Sequence, residues 1–457
     1  KSGQLYLYDY YGLPDWHFDV PLHGRWSPQS LVDKLREWQK YNIRGFMLES
    51  SFSTGSSGIG LYWAARLGWN MNEDINTVQK NYYRQMFGDA APHIIKYYQK
   101  VNGNFIGAAD MPYLLSLLEQ ASASVKAPEV HRRIAQLQAY VHYLILYYGW
   151  QSAPEDKKET AWEALVEYVW KIYPLGVVHS TRIAELLGMQ ATASSSLVAQ
   201  WSVYTPGEKV KTTKFISSKE LAEINERDRK KYPLLPGFNY AGTNVPVNYT
   251  LNAKNLQDEV NPEGMMLLNL PEIYIQPAED GFFRFMLKVN EGSTNNAQQT
   301  NVIRCIDVEN GKEVFAQTVA IDKSWKKIAI KLPAKKRYRL MIDHPDWIRV
   351  HIPKNQWAGF KNIPTYAVMG TLWFYIAPGT KYIYYSNNEK VQPLFADENN
   401  NAIKPEKVND QNLYRLAVPA TSSGKWWTVA NTEYKVLQFY TNPDLFFSHS
   451  NFAVKKQ

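Results

Sequence analysis

Two carboxylates, Asp9 and Glu49, each close a short apolar run, LYLYD and IRGFMLE. The loop after the first run carries Tyr10, Tyr11, Asp15, Trp16, His17, Asp19, His23, Arg25 and Trp26. Acids, hydrogen-bonding groups and flat aromatic faces in one loop are what a sugar subsite needs, because pyranose rings stack on aromatic planes. Most glycosidases use two carboxyl groups, one protonating the leaving oxygen and one acting at the anomeric carbon. Burial at the end of an apolar strand raises a carboxyl pKa, as a general acid requires, so Glu49 is the first catalytic candidate and Asp9 the second. Either acid can instead be structural: Glu49 as a cap or an arginine partner, Asp9 as part of the strand end. The substrate-binding candidates are Tyr10, Tyr11, Asp15, Trp16, His17, Arg25 and Trp26.

His17 and His23 have no obvious third ligand, so no metal site is expected there, and no cofactor is implied. The segment SFSTGSSG, residues 51–58, lacks the lysine and spacing of a phosphate-binding loop and reads as a connector or lid. Cys305 is the one cysteine, so no internal disulfide can form, and its place in VIRCIDV predicts a buried structural thiol.

The elements that must position these groups follow from periodicity. LYLYDY and RGFMLES have the density of buried strands. Between them Ser27 caps a helix that starts with Pro28 and carries Leu31, Leu35 and Trp38 on one stripe. A helix between two strands predicts a parallel crossover, and working residues then belong at the carboxyl ends of the strands. From about residue 71 to 205 the spacing is helical, with Ile134, Leu137, Val141, Leu144 and Ile145 marking the longest helix.

Residues 206–264 read as a linker containing one charged helix, SSKELAEINERDRKKY. Beyond 265 the period changes to two, and two series of short strands predict two antiparallel β-sandwiches, 265–365 and 366–457. The expected fold class is therefore multidomain: α/β (1–70), all-α (a helical bundle, 71–205) and all-β. Trp426 and Trp427 are adjacent in a strand and must point to opposite faces. Seven basic residues fall within the fourteen from Lys326 to Arg339 with no acid among them. A solvated hairpin explains that run, and a docking surface for uronic-acid or sulfated polymers is the alternative.

The run YYGLPDWHFDVPL, then IRGFMLESS, GLYWAARLGWN and NYYRQMFGDAAPHIIKYY, resembles the carboxyl-terminal portion of the domain-of-unknown-function 4838 family. These are bacterial glycoside hydrolase-like proteins found among polysaccharide degraders, with barrels similar to α-glucuronidases and hexosaminidases. The resemblance covers about residues 5 to 100 and implies a (β/α)8 barrel. Such a barrel takes about 250 residues, whereas only two strand–helix units precede the helical region, so these read as the last units of a barrel. The implied partner is the N-terminal remainder of a longer parent protein, and the chain alone is expected to be inactive.

Two functions are carried forward: part of a glycoside hydrolase-like protein acting on a polysaccharide or oligosaccharide, and a non-catalytic carbohydrate-binding or surface-assembly protein. Either predicts a secreted, periplasmic or cell-surface location. The net charge of +8 permits an anionic partner, but without a recognition motif no nucleic-acid binding is expected. No apolar run approaches the ~20 residues of a membrane span, so none is expected.

Overall fold

The computed structural model describes residues 5–9, 18–21, 31–32, 35, 38–48, 54–103, 106–190, 211–235, 249–252, 273–277, 279–289, 299–334, 336–343, 348–352, 357–361, 372–376, 378–387, 392–408, 412–422, 425–430, 437–440, 445–447 and 453–456. The fold is mixed helix and sheet, in two compact units, Lys1–Pro236 and Gly237–Gln457.

In the first unit, β1 (Leu5–Asp9) and β2 (Ile43–Leu48) pair in parallel, with Tyr8 opposite Met47 and Asp9 opposite Leu48. Helical turns at residues 31–32, 35 and 38–40 lie between them in sequence. Among the described residues eight helices follow: α1 (Thr54–Trp69), α2 (Ile75–Phe87), α3 (Ala91–Gly103), α4 (Met111–Ala123), α5 (Pro128–Ser152), α6 (Lys158–Lys171), α7 (Ser180–Gln190) and α8 (Ser218–Lys231). Their ends are set by local chemistry. Asp74 caps α2 by accepting the Thr77 N–H at 2.8 Å, and Gly88, at φ 51°, ends it in a conformation that glycine adopts without strain.

Helix α5 is buried on most of its circumference and is the centre of this unit. Its apolar residues join Phe18, Val20, Leu31 and Leu35 from the strand–helix region, and Ile59, Trp63 and Leu67 of α1, in one core. The expected break near residue 70 is therefore not a break in the core.

Helix α8 lies inside the stretch read as a linker, yet it packs on α4 and α5. Leu221, Ile224, Asn225 and Asp228 form its buried stripe. The Asp228 carboxylate meets His142 Nδ1 at 2.6 Å, and Asn225 donates to Gln138 at 2.7 Å. Ser217 caps the helix by accepting the Glu220 N–H at 3.1 Å.

The second unit is antiparallel. Its strands are β3 (Tyr249–Asn252), β4 (Ile273–Gln276), β5 (Phe282–Val289), β6 (Gln299–Asp307), β7 (Glu313–Ile321), β8 (Lys326–Lys331), β9 (Tyr338–Asp343), β10 (Ile348–His351), β11 (Trp357–Lys361) and β12 (Leu372–Tyr375). The series continues with β13 (Tyr382–Asn387), β14 (Leu394–Ala396), β15 (Ala402–Ile403), β16 (Glu406–Lys407), β17 (Leu413–Ala417), β18 (Trp426–Ala430), β19 (Leu437–Phe439), β20 (Leu445–Phe447) and β21 (Ala453–Lys456).

Ten of them form one sheet in the order β15-β14-β18-β12-β20-β11-β4-β9-β6-β7. Smaller sheets are β10-β5-β8 and β16-β17-β13-β19, and β3 pairs with β21. The sheet does not divide at residue 365, because β11 hydrogen-bonds to β20, with Gly359 opposite Phe447. One apolar cluster also spans that point, running from Ile273 to Phe439. Period-two sequence marks strands but not their partners, so the boundary expected between two sandwiches is bridged by pairing of residues far apart in the chain.

Cys305 is fully buried, and burial pushes its thiol up to about 12. Trp427 is buried with its Nε1–H directed at Glu398 at 3.3 Å, while Trp426 is half-buried beside Tyr375. Among the described residues no helix is long and apolar enough to cross a membrane.

Candidate functional site

Parallel pairing places Asp9 and Leu48, the residue before Glu49, side by side at the carboxyl ends of β1 and β2. Strand partners are about 4.8 Å apart, so the two strands end side by side at Asp9 and Leu48. Asp9 is described as backbone only, while Glu49, Tyr10, Tyr11, Asp15, Trp16, His17, Arg25 and Trp26 lie outside the described residues, as does His23. The structure does define what holds the segments on either side of them.

Phe18 to Pro21, the described part of the aromatic loop, is fastened to α5. Tyr143 donates its hydroxyl to the Phe18 carbonyl and Tyr140 donates to the Asp19 carbonyl at 2.7 Å. The Phe18 ring packs against Tyr147 and Trp150, with centroids 5.4 and 6.0 Å away. Asp19 sits at φ 52°, in the left-handed region that Asp tolerates better than most residues. Its buried carboxylate accepts the His179 N–H at 2.5 Å. A buried carboxylate needs such donors, since leaving it without them costs several kcal/mol.

The segment after Glu49 is held on the same surface. Gly55, in the first turn of α1, donates its N–H to the Val177 carbonyl at 3.2 Å and accepts the Tyr97 hydroxyl at 3.2 Å. Its Cα faces the Tyr140 ring. Residues 177 and 179 thus bind the two strand-end loops from a single turn, and Tyr140 lies between them. Sequence reading treated α5 as an apolar stripe and passed over these tyrosines. The available signal was the tyrosines themselves, since a buried phenol needs an acceptor.

His179 is half-buried, and burial followed by the nearby Arg182 guanidinium lowers its pKa below the ordinary 6.5, with Glu185 opposing. A histidine whose folded pKa is depressed takes up a proton more readily when unfolded. Its contribution is therefore present above pH 6.5 and lost progressively as pH falls from there through the lower folded value. The first unit is expected to melt at lower temperature at about pH 5.5 than at about pH 7.5, and His179→Gln is expected to shrink that difference. An identical pH dependence in the variant would remove His179 as a source.

A cavity of about 540 Å³ opens elsewhere, lined by Trp38, Ile43, Arg44, Phe46, Ala64 and Trp69 among others. It lies at the amino half of β2, away from Leu48, which in strand–helix folds is the end that serves stability. Among the described residues no group of three or more His, Cys, Asp or Glu side chains is placed to hold a metal. No family model matches the chain, and no curated protein matches it.

Proposed function

We propose that this chain is part of a glycoside hydrolase-like protein and supplies one edge of a carbohydrate site at the carboxyl ends of β1 and β2. The observation that carries this reading is the exposed apolar face of the strand pair. In register, Tyr6 lies opposite Gly45 and Tyr8 opposite Met47, so Tyr6, Tyr8 and Met47 share a face. Tyr6 is 71% exposed and Met47 64%. On the other face, Phe46 packs into the helical core.

Parallel sheets occur almost only with both faces covered. A barrel of further strand–helix units, contributed by an N-terminal remainder of the parent, supplies the second cover and turns the Tyr6–Met47 face inward. Counting by twos from Gly45 through Met47 reaches Glu49. The resemblance to the domain-of-unknown-function 4838 family supports the same barrel and, with it, a secreted, periplasmic or cell-surface setting. The second unit, whose strands join across residue 365 in one sheet, then serves as an accessory module.

The test is hydrolysis of oligosaccharides by this chain and by the longer protein that precedes it with additional strand–helix units. Activity is expected only from the longer protein, and Glu49→Gln is expected to lower its kcat at least about a hundredfold. Full activity in the Glu49→Gln protein would remove Glu49 from catalysis. An upstream sequence without strand–helix repeats would remove the barrel.

A further inference from the structure

The basic run noted in the sequence lies partly on β8, and the structure shows what surrounds it. In the sheet β10-β5-β8, Phe283, Phe285, Leu287 and Val289 of β5 are buried with Ile328 and Ile330 of β8. The alternate residues, Phe282, Arg284, Met286 and Lys288, share the opposite face with Lys327, Ala329 and Lys331. Arg349 occupies the register position beside Lys288. Cations therefore recur on β5 and β8 on one face, where Arg284, Lys327 and Lys331 are exposed and Lys288 is buried.

Two aromatic rings hold these cations in place. Phe282 lies under both the Arg284 guanidinium, 4.9 Å from its centroid, and the Lys331 ammonium, 5.8 Å away. Trp325 lies under Lys288 at 5.0 Å, with His351 against it at 6.2 Å. Such stacking orients a cation. Among the described residues, Asp280 contacts Arg284 at 2.6 Å and Asp322 contacts Lys326 at 3.2 Å. The Arg284 guanidinium already donates to the Asp280 carboxylate at this face.

We propose that the outward face of β10-β5-β8 binds a uronic-acid polysaccharide, with Lys327 and Lys331 as the principal contacts. Choosing a glycan rests on the carbohydrate reading above, and one structural feature favours it over single-stranded nucleic acid. Non-specific nucleic-acid surfaces stack bases on open aromatic planes, whereas Phe282 and Trp325 are already occupied by cations. What this face offers is spaced positive charge and N–H donors, which match carboxylates repeated along a sugar chain.

Affinity electrophoresis of the whole chain in gels containing polygalacturonate, neutral dextran or oligothymidylate tests the proposal. Retardation by polygalacturonate alone is expected, weakening about tenfold in Lys327→Glu/Lys331→Glu. The control is Lys219→Glu/Lys230→Glu, which makes the same change in net charge at two exposed lysines of α8. It is expected to bind polygalacturonate within about twofold of the parent chain, because neither lysine belongs to β10, β5 or β8. Equal weakening in both double variants, no retardation by polygalacturonate, or equal retardation by oligothymidylate would overturn the proposal. None of these results bears on Glu49, whose test is hydrolysis.

Discussion

Asp110→Ala is expected to lower the stability of the first unit by about 3–5 kcal/mol, the usual consequence of removing one member of a buried ion pair. Asp110 is 0% exposed and its carboxylate lies 2.7 Å from the Lys100 ammonium, itself 6% exposed. The same carboxylate accepts the Gly107 N–H at 2.9 Å, tying the start of α4 to the chain that leaves α3. Alanine takes away both contacts and leaves a buried ammonium without its counter-charge. In Asp110→Ala/Lys100→Met that charge is gone, and much of the loss is expected to return, because apolar replacement of a whole buried pair is often close to neutral. Urea denaturation followed by tryptophan fluorescence gives both values, and a loss under about 1 kcal/mol in the single variant would contradict the pair's assigned role.

The link to the candidate site runs along α3. Lys100 is one turn beyond Tyr97, whose hydroxyl holds the Gly55 carbonyl. Loosening α3 therefore withdraws a support from the loop that follows Glu49, although the ion pair touches no candidate residue. Stability and site geometry are coupled through the same buried helix.

How much of this was legible in the sequence depends on whether the signal was local. The strands β1 and β2 were, since both are dense apolar runs, and α5 was, since its apolar residues recur at helical spacing. Helix α8 was half-hidden: its many charges suggested a solvated linker, while Leu221, Ile224, Asn225 and Asp228, spaced three, four and seven apart, already marked a buried stripe. The joining of strands across residue 365 was not legible, because β11 and β20 meet only in the folded sheet. For the site, residue types pointed to the loop after β1. What fixes that loop could not be found locally, since Tyr140, Tyr143 and His179 lie 121, 125 and 160 residues from their partners.

Those long-range bonds give the candidate site its physical character. A sugar site on loops works only if the loops are held to within a fraction of an ångström by their supports. Here the supports are buried phenols, the Val177 carbonyl and the His179 N–H, all directed at backbone atoms of the two segments or at the Asp19 carboxylate. The candidate residues between them can vary in side chain without changing what fastens the loop.

Gly55→Ala tests that fastening most directly, and it is expected to destabilise the first unit by about 1–3 kcal/mol or more. A glycine in a helix ordinarily gains about 1 kcal/mol on replacement by alanine, so the sign itself is diagnostic. A Cβ at position 55 would lie 2.3 Å from Tyr140 Cγ and 2.4 Å from Tyr140 Cδ2, far inside van der Waals contact. Tyr140 is fully buried and its hydroxyl is committed to the Asp19 carbonyl, so the ring can yield only by releasing the Phe18–Pro21 segment, or α1 can retreat and give up its bonds to Val177 and Tyr97. Both strand-end loops should then show faster amide exchange. In a Tyr140→Ala background Cγ and Cδ2 are absent and only the Cβ at 2.8 Å remains, so Gly55→Ala is expected to cost at least about 1 kcal/mol less than in the parent chain, a coupling that a double-mutant cycle reads directly. Equal costs in the two backgrounds would mean that Tyr140 does not join the loops, and with it would go the shared support inferred for the segments around Asp9 and Glu49.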